Sequence, residues 1–135
     1  MIVGFGSDMV DIRRIHAALE RFGEHFERKL FTQAERDFAR EKCRTPQRLS
    51  AHYAKRFAAK EACAKALGTG FRAGISWQQI EIITDALGAP TLRLSGAAQA
   101  RLADLAPAGT QTALWLSLSD EPPLALAQVI IWAQP

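Results

Sequence analysis

Two carboxylates and three cations occupy places where a simple apolar pattern would not put them. In Arg56-Phe-Ala-Ala-Lys60-Glu61-Ala-Cys-Ala-Lys65-Ala-Leu-Gly68-Thr-Gly70, helical spacing of about 100° per residue puts Leu49, Tyr53, Phe57, Ala64 and Leu67 on one face. Lys60 falls inside that stripe and Glu61 at its edge. Lys65 follows Glu61 by four positions, which makes the two surface neighbours on a helix. A partly buried carboxylate beside two amines is costly unless something pairs with it. One reading is a structural Glu61–Lys65 ion pair, with Lys60 carrying its charged head out to water. The other is a site for an anion and a metal.

Asp8 is the second carboxylate, set between Gly-Phe-Gly-Ser and Met-Val in an otherwise apolar segment. With Glu61 it offers oxygen donors from two separate elements, which suits a hard cation. Mg²⁺ takes one or two carboxylates, keeps several waters and bridges to substrate phosphates. His16, His25 and His52 are scattered, and no His/Cys cluster has zinc-ligand spacing. Gly68 reads as a helix cap, but a cap alone leaves Gly70 unexplained. A helix C-terminus repels anions, so a phosphate there would need Arg56, Lys60, Lys65 or loop amides. No Gly-Lys-Ser/Thr follows the glycines, and Gly4/Gly6 do not make a dinucleotide fingerprint.

The bulk of the chain sets the frame. Its 135 residues suit one domain, 1–135, with a real core. No apolar run approaches a membrane span, and the start carries neither a basic leader nor a cleavage site. Cys43 and Cys63 lack metal or redox spacing and read as free thiols, so the expected compartment is cytoplasmic. Residues 1–70 hold 14 Lys/Arg against 9 Asp/Glu, a balance of +5; residues 71–135 hold 3 against 5, a balance of −2. A basic half calls for an acidic partner or a phosphorylated ligand. Aromatics are not interleaved with the basic residues as a nucleic-acid stacking platform requires, so neither nucleic acid nor membrane is expected as a partner.

Several elements must hold these side chains. Ile2 to Val10 reads as a strand with Asp8 near its end, its Gly4 and Gly6 marking a bulge or a close backbone approach. Asp11 caps a helix through Phe22 that turns Ile12, Ile15 and Leu19 inward, and Gly23 breaks it. A short helix holds Phe26 and Leu30. Thr32 and Glu35 form a capping box for a helix through Lys42. Thr45-Pro46 opens the long helix that Gly68 closes. Gln79–Thr84 and Thr91–Leu94 read as a hairpin, and Ser95 caps a helix from Gly96 to Leu105. Gln111–Ser119 and Leu124–Trp132 read as strands joined by Asp120-Glu121-Pro122-Pro123. Helices early and hairpins late predict an α+β fold, helices packed on a small antiparallel sheet.

Two segments carry a family resemblance. Gly4-Phe-Gly-Ser-Asp8-Met-Val-Asp-Ile-Arg-Arg14-Ile is similar to the N-terminal signature of the holo-[acyl-carrier-protein] synthases, the small class of 4′-phosphopantetheinyl transferases. The Arg56–Gly70 segment resembles their second signature. Ile80-Glu-Ile, Leu87-Gly-Ala-Pro-Thr-Leu and Ala125-Leu-Ala-Gln-Val-Ile-Ile resemble the later strands, so the likeness runs through nearly the whole chain. It implies a 4′-phosphopantetheinyl transferase-like fold. It also implies transfer of phosphopantetheine from coenzyme A to a serine of apo acyl carrier protein for fatty acid biosynthesis, releasing adenosine 3′,5′-bisphosphate. On that resemblance Asp8 and Glu61 hold Mg²⁺ at the pyrophosphate. Glu61, directly or through a metal-bound water, is the base, and Lys65 meets the leaving phosphate. Arg56 and Lys60 meet coenzyme A phosphates, and Gly68 and Gly70 let backbone approach the nucleotide. Arg14 and Arg21, on one helix face, receive the acidic carrier, while Arg13 reads as a solvated surface residue.

The resemblance also implies a homotrimer with active sites at subunit interfaces; Trp77, Trp115 and Trp132 serve either such an interface or the core. Many members read Ser-x-Ser/Thr-His where this chain has Ser117-Leu-Ser119-Asp120. An aspartate cannot donate to a phosphate as histidine can, so no ligand role transfers to Asp120. The rival readings are another metal-dependent phosphotransferase or pyrophosphate hydrolase, and a non-catalytic carrier or nucleic-acid binding module. The latter has no use for buried carboxylates.

Overall fold

A computed structural model describes residues 1–135. Strand β1 (Ile2–Asp11) feeds helix α1 (Ile12–Phe22), whose N-cap Asp11 accepts a bond from the Arg13 amide. Helices α2 (Glu24–Leu30), α3 (Gln33–Lys42) and α4 (Pro46–Ala66) follow. The capping box of Thr32 and Glu35 starts α3, and the Thr45 hydroxyl caps α4 ahead of Pro46. A 3-10 turn at Trp77–Gln79 stands where the sequence suggested the first residue of a strand. Then come β2 (Ile80–Thr84), β3 (Pro90–Leu94), α5 (Gly96–Leu105), β4 (Gln111–Glu121) and β5 (Leu124–Gln134).

The α+β expectation holds, with the antiparallel strands divided between two sheets, β1-β5-β4 and β2-β3. Strands β4 and β5 extend beyond their expected ends. Asp120 sits opposite Ala125 and Glu121 opposite Leu124, so Asp120 belongs to the ladder and not to the connector. The ladder stops at Pro122 and Pro123, whose nitrogens carry no proton to donate.

Strand β5 alternates with period two: Ala125, Ala127, Val129, Ile131 and Ala133 are buried, while Leu124 and Trp132 are exposed. Its buried side, with β1, receives α4. That helix is buried around more of its circumference than the sequence stripe suggested, because Ala54, Ala58, Ala59, Ala62, Cys63 and Ala66 join Tyr53, Ala64 and Leu67 in the core. Small side chains let helix and sheet backbones close on each other. At Gly6 the approach reaches its limit: an added Cβ would lie 2.8 Å from the Ala66 nitrogen and closer still to the Ala62 carbonyl. Gly4 meets the Ala66 carbonyl in the same way. These two glycines seat β1 directly on α4, which brings Asp8 to the side of Glu61 and Lys65.

Candidate active site

The β1–α4 seam assembles the first cluster. Lys65 Nζ donates to the Ser7 carbonyl at 3.0 Å and to Asp8 Oδ1 at 3.0 Å. The Glu61–Lys65 ion pair, the structural one of the two readings, is not made. The close approach at Gly6 offers Lys65 two acceptors on β1, and one of them is charged. Burial, followed by the Asp8 charge, pushes the Glu61 carboxyl above its ordinary value, and Lys65 and Arg14 oppose that shift. Two carboxylates thus crowd one another, and a cation between them relieves both. The donors are all oxygen, and no cluster of three or more His, Cys, Asp or Glu side chains is present. This set fits Mg²⁺, which needs only one or two protein carboxylates.

Lys60 is corrected. Its side chain is fully buried, and Nζ donates to Glu35 Oε1 at 2.8 Å, the Trp77 carbonyl at 2.9 Å and the Ile80 carbonyl at 2.6 Å. An ammonium has three protons to give, so Lys60 neither reaches water nor meets a phosphate. Burial pulls its amine down, and the Glu35 charge resists that shift. Glu35 in turn accepts from the Thr32 and Ile82 amides at 2.9 and 3.1 Å. Sequence reading found Glu35 as a helix cap and missed that it is also the counter-ion of the buried lysine.

Arg56 lies on another side of α4, 7% exposed. Its guanidinium stacks over Phe38 with 5.5 Å to the ring centroid and donates to Thr84 Oγ1 at 3.2 Å. It has no ion-pair partner. Burial eases its hold on the proton, but a guanidinium stays charged. A buried cation without a counter-ion is expensive, and a bound anion removes that cost. Arg56 lines a cavity of about 300 Å³ with Phe38, His52, Lys55, Thr84 and Leu118 among its walls. His52 Nε2 is buried without a hydrogen-bond partner. Burial, with Arg56 and Lys55 nearby, drives that imidazole down to about 3, so it is neutral. Lys55 escaped sequence reading and His52 read only as a scattered histidine, although His52 stands four residues before Arg56 on the same helix face and three before Lys55.

Gly68 and Gly70 both take positive φ, 80° and 61°. The Gly70 amide bonds back to the Ala64 carbonyl at 3.1 Å and the Gly68 amide to Lys65 at 2.9 Å, so capping accounts for both. Arg101 of α5 completes the cap by donating to the Leu67 carbonyl at 2.8 Å. On α1, Arg14 and Arg21 are exposed, and Arg21 lies over Phe22. Arg13 is bound by both carboxylate oxygens of Asp11, whose carboxyl it lowers to about 2, in line with a surface role. Trp77 stacks on Phe71 at 3.9 Å and Phe57 at 5.2 Å, which makes it a packing residue. Trp115 and Trp132 remain exposed.

Comparison with known proteins gives this geometry its relatives. Residues 4–126 match the model of the 4′-phosphopantetheinyl transferase superfamily. The chain is 53% identical over 135 residues to a holo-[acyl-carrier-protein] synthase of Methylorubrum populi, covering 100% of this chain and 96% of the relative. It is 56% identical over 134 residues to that of a Methylobacterium species, covering 98% and 96%. The crystal structure of the Neisseria meningitidis synthase superposes with a TM-score of 0.78 at 35% identity, over 98% of this chain and 99% of that one. A Bacillus anthracis synthase in complex with CoA (3′,5′-ADP) does so at 0.76 and 34%, over 97% and 96%. The chain therefore belongs to the 4′-phosphopantetheinyl transferase superfamily, among the holo-[acyl-carrier-protein] synthases.

Proposed function

We propose that this protein moves 4′-phosphopantetheine from coenzyme A to a serine of apo acyl carrier protein in the cytoplasm, supplying holo carrier for fatty acid biosynthesis. The observation that carries this is the pair Asp8 and Glu61, brought together on the β1–α4 seam with Lys65 in hydrogen-bond contact with Asp8. The serine oxygen bonds to the phosphorus on the pantetheine side. The bond from that phosphorus to the oxygen of adenosine 3′,5′-bisphosphate breaks. Glu61 takes the serine proton; its raised carboxyl value brings it nearer the range where a base works well. Lys65, 53% exposed, meets the charge that grows on the leaving phosphate. Mg²⁺ held by Asp8 and Glu61 would neutralise pyrophosphate charge.

Arg56, with Lys55, supports the other phosphate of coenzyme A, because it is buried without a counter-ion beside an open cavity. Gly68 and Gly70, which bear no side chain, leave backbone accessible to the nucleotide. Arg14 and Arg21 receive the acidic carrier, and Arg14 is close enough to Glu61 to act on its carboxyl. The chain acts as one domain, 1–135, in a homotrimer with active sites at subunit interfaces. Support for assembly comes from the outer face of β1-β5-β4, where Phe5 and Trp115 both register with Ile130 and stand exposed with Met9 and Trp132.

The test is intact-mass spectrometry of apo carrier incubated with protein, coenzyme A and Mg²⁺. One added phosphopantetheine per carrier is expected, lost with a chelator and restored by Mg²⁺. No mass gain, with a control synthase active, contradicts the reading.

A further inference from the structure

The two cations at the Arg56 cavity differ in one respect. Arg56 has no carboxylate, whereas Lys55 Nζ lies 3.4 Å from Asp120 Oδ1. Asp120 is fixed in the β4 ladder opposite Ala125, and Leu118 of the same strand lines the cavity. Lys55 is the movable member, an ammonium on a flexible four-carbon stem. The pair is partly open to water, with side chains 29% and 33% exposed, which keeps its exchange within reach of an incoming anion. His52, in the same wall, is neutral and supplies no competing charge. An anion entering the cavity therefore meets one unpaired guanidinium and one ammonium already shared with a carboxylate.

We infer that Asp120 is a built-in competitor for the cavity's anion, holding Lys55 until a phosphomonoester takes it and so setting the affinity for that group. The inference rests on the proposed reading that this cavity receives a phosphate of coenzyme A. A phosphomonoester dianion matches the two cations Lys55 and Arg56 in charge. The pyrophosphate, where the bond breaks, belongs instead at Asp8, Glu61 and Lys65. Asp120 is thus a positioning residue that acts through Lys55, and it needs no donor group of its own.

The test is calorimetric binding of coenzyme A, dephospho-coenzyme A and adenosine 3′,5′-bisphosphate to the full chain and its variants, each checked for fold by circular dichroism. Asp120→Asn is expected to tighten coenzyme A and the bisphosphate about two- to fivefold, the range of a partly exposed ion pair. Dephospho-coenzyme A, which lacks the monoester, is expected to bind unchanged. Asp120→Glu keeps the charge and is expected to bind as the parent does. In a Lys55→Met background the effect of Asp120→Asn is expected to vanish. Unchanged or weaker coenzyme A binding by Asp120→Asn overturns the inference. So does equal tightening of dephospho-coenzyme A, or tightening that persists without Lys55. If the parent protein binds neither coenzyme A nor the bisphosphate, the proposed function itself falls. If Arg56→Met weakens binding while Asp120→Asn changes nothing, only the role of Asp120 falls.

Discussion

Lys65 reaches across from α4 to hold Asp8 of β1, 3.0 Å from Nζ to Oδ1, and leaves Glu61, its helical neighbour, without that partner. The consequence is a division of labour between two nearby carboxylates. Asp8 has its cation, while Glu61 is desolvated, faces the Asp8 charge and binds its proton more tightly than an ordinary glutamate. That arrangement depends on how closely β1 lies on α4.

Gly6→Ala tests the seam. A methyl group there meets the Ala62 carbonyl and Ala66 amide, both backbone atoms of a helix that cannot move aside cheaply. Overpacking of this kind destabilises by about 1–3 kcal/mol, sometimes more. Chemical denaturation is expected to register that loss, with transfer activity falling further than the folded fraction because Asp8 is displaced. Full stability and full activity in the variant would mean that β1 does not sit on α4 as described.

Lys60→Met separates structure from ligand binding. It strips the buried Glu35 of its counter-ion and leaves the Trp77 and Ile80 carbonyls short of a donor. Breaking a buried pair by removing one partner costs about 3–5 kcal/mol. The folded fraction is expected to bind coenzyme A as the parent does, measured at low temperature where that fraction is large. A weaker affinity with unchanged stability would return Lys60 to the phosphate site.

Glu61 makes stability depend on pH in a defined direction. Its folded value is raised above the ordinary 4.5, so the folded chain binds that proton more tightly than the unfolded chain. Its contribution to stability is full below the ordinary value and is lost as pH rises through the raised one. Glu61→Gln removes the loss, so the variant is expected to be more stable than the parent near neutrality. That margin should shrink as pH falls below 4.5. Denaturation curves at the two pH values decide it, and a margin independent of pH would contradict the shift.

Arg14→Glu addresses the carrier. Arg14 is exposed, whereas Arg13 beside it is tied to Asp11. The Michaelis constant for the carrier is expected to rise at least tenfold more than that for coenzyme A, with a smaller effect for Arg13→Glu. Equal effects on both substrates would place Arg14 outside the docking face.

Much of this was legible in the chain because it is local. Asp11, Thr32 with Glu35, and Thr45-Pro46 carry capping chemistry within three residues, and the structure starts α1, α3 and α4 where they stand. Gly4 and Gly6 signalled a close approach, and the Ala62 and Ala66 backbone supplies it. The ionic partners were less legible, because each is chosen by tertiary proximity. Lys60 finds Glu35 twenty-five positions away, Lys65 finds Asp8 at fifty-seven, and Lys55 meets Asp120 across the β4 edge. Helical spacing favoured Glu61 for Lys65, and only the depth to which β1 sinks onto α4 reverses that choice. Asp120 read as a connector because two prolines follow it, yet proline ends a ladder only from its own position onward.

The most direct measurement is the initial rate of carrier mass gain for the parent protein and for Glu61→Gln, with coenzyme A and Mg²⁺ saturating and both proteins folded by circular dichroism. The parent is expected to convert the carrier completely by one phosphopantetheine. Glu61→Gln is expected to be slower by about 10²–10⁴, the range that positioned acid–base catalysis supplies. A Glu61→Gln rate equal to the parent's would remove Glu61 from the chemistry and with it the role of the Asp8–Glu61 pair.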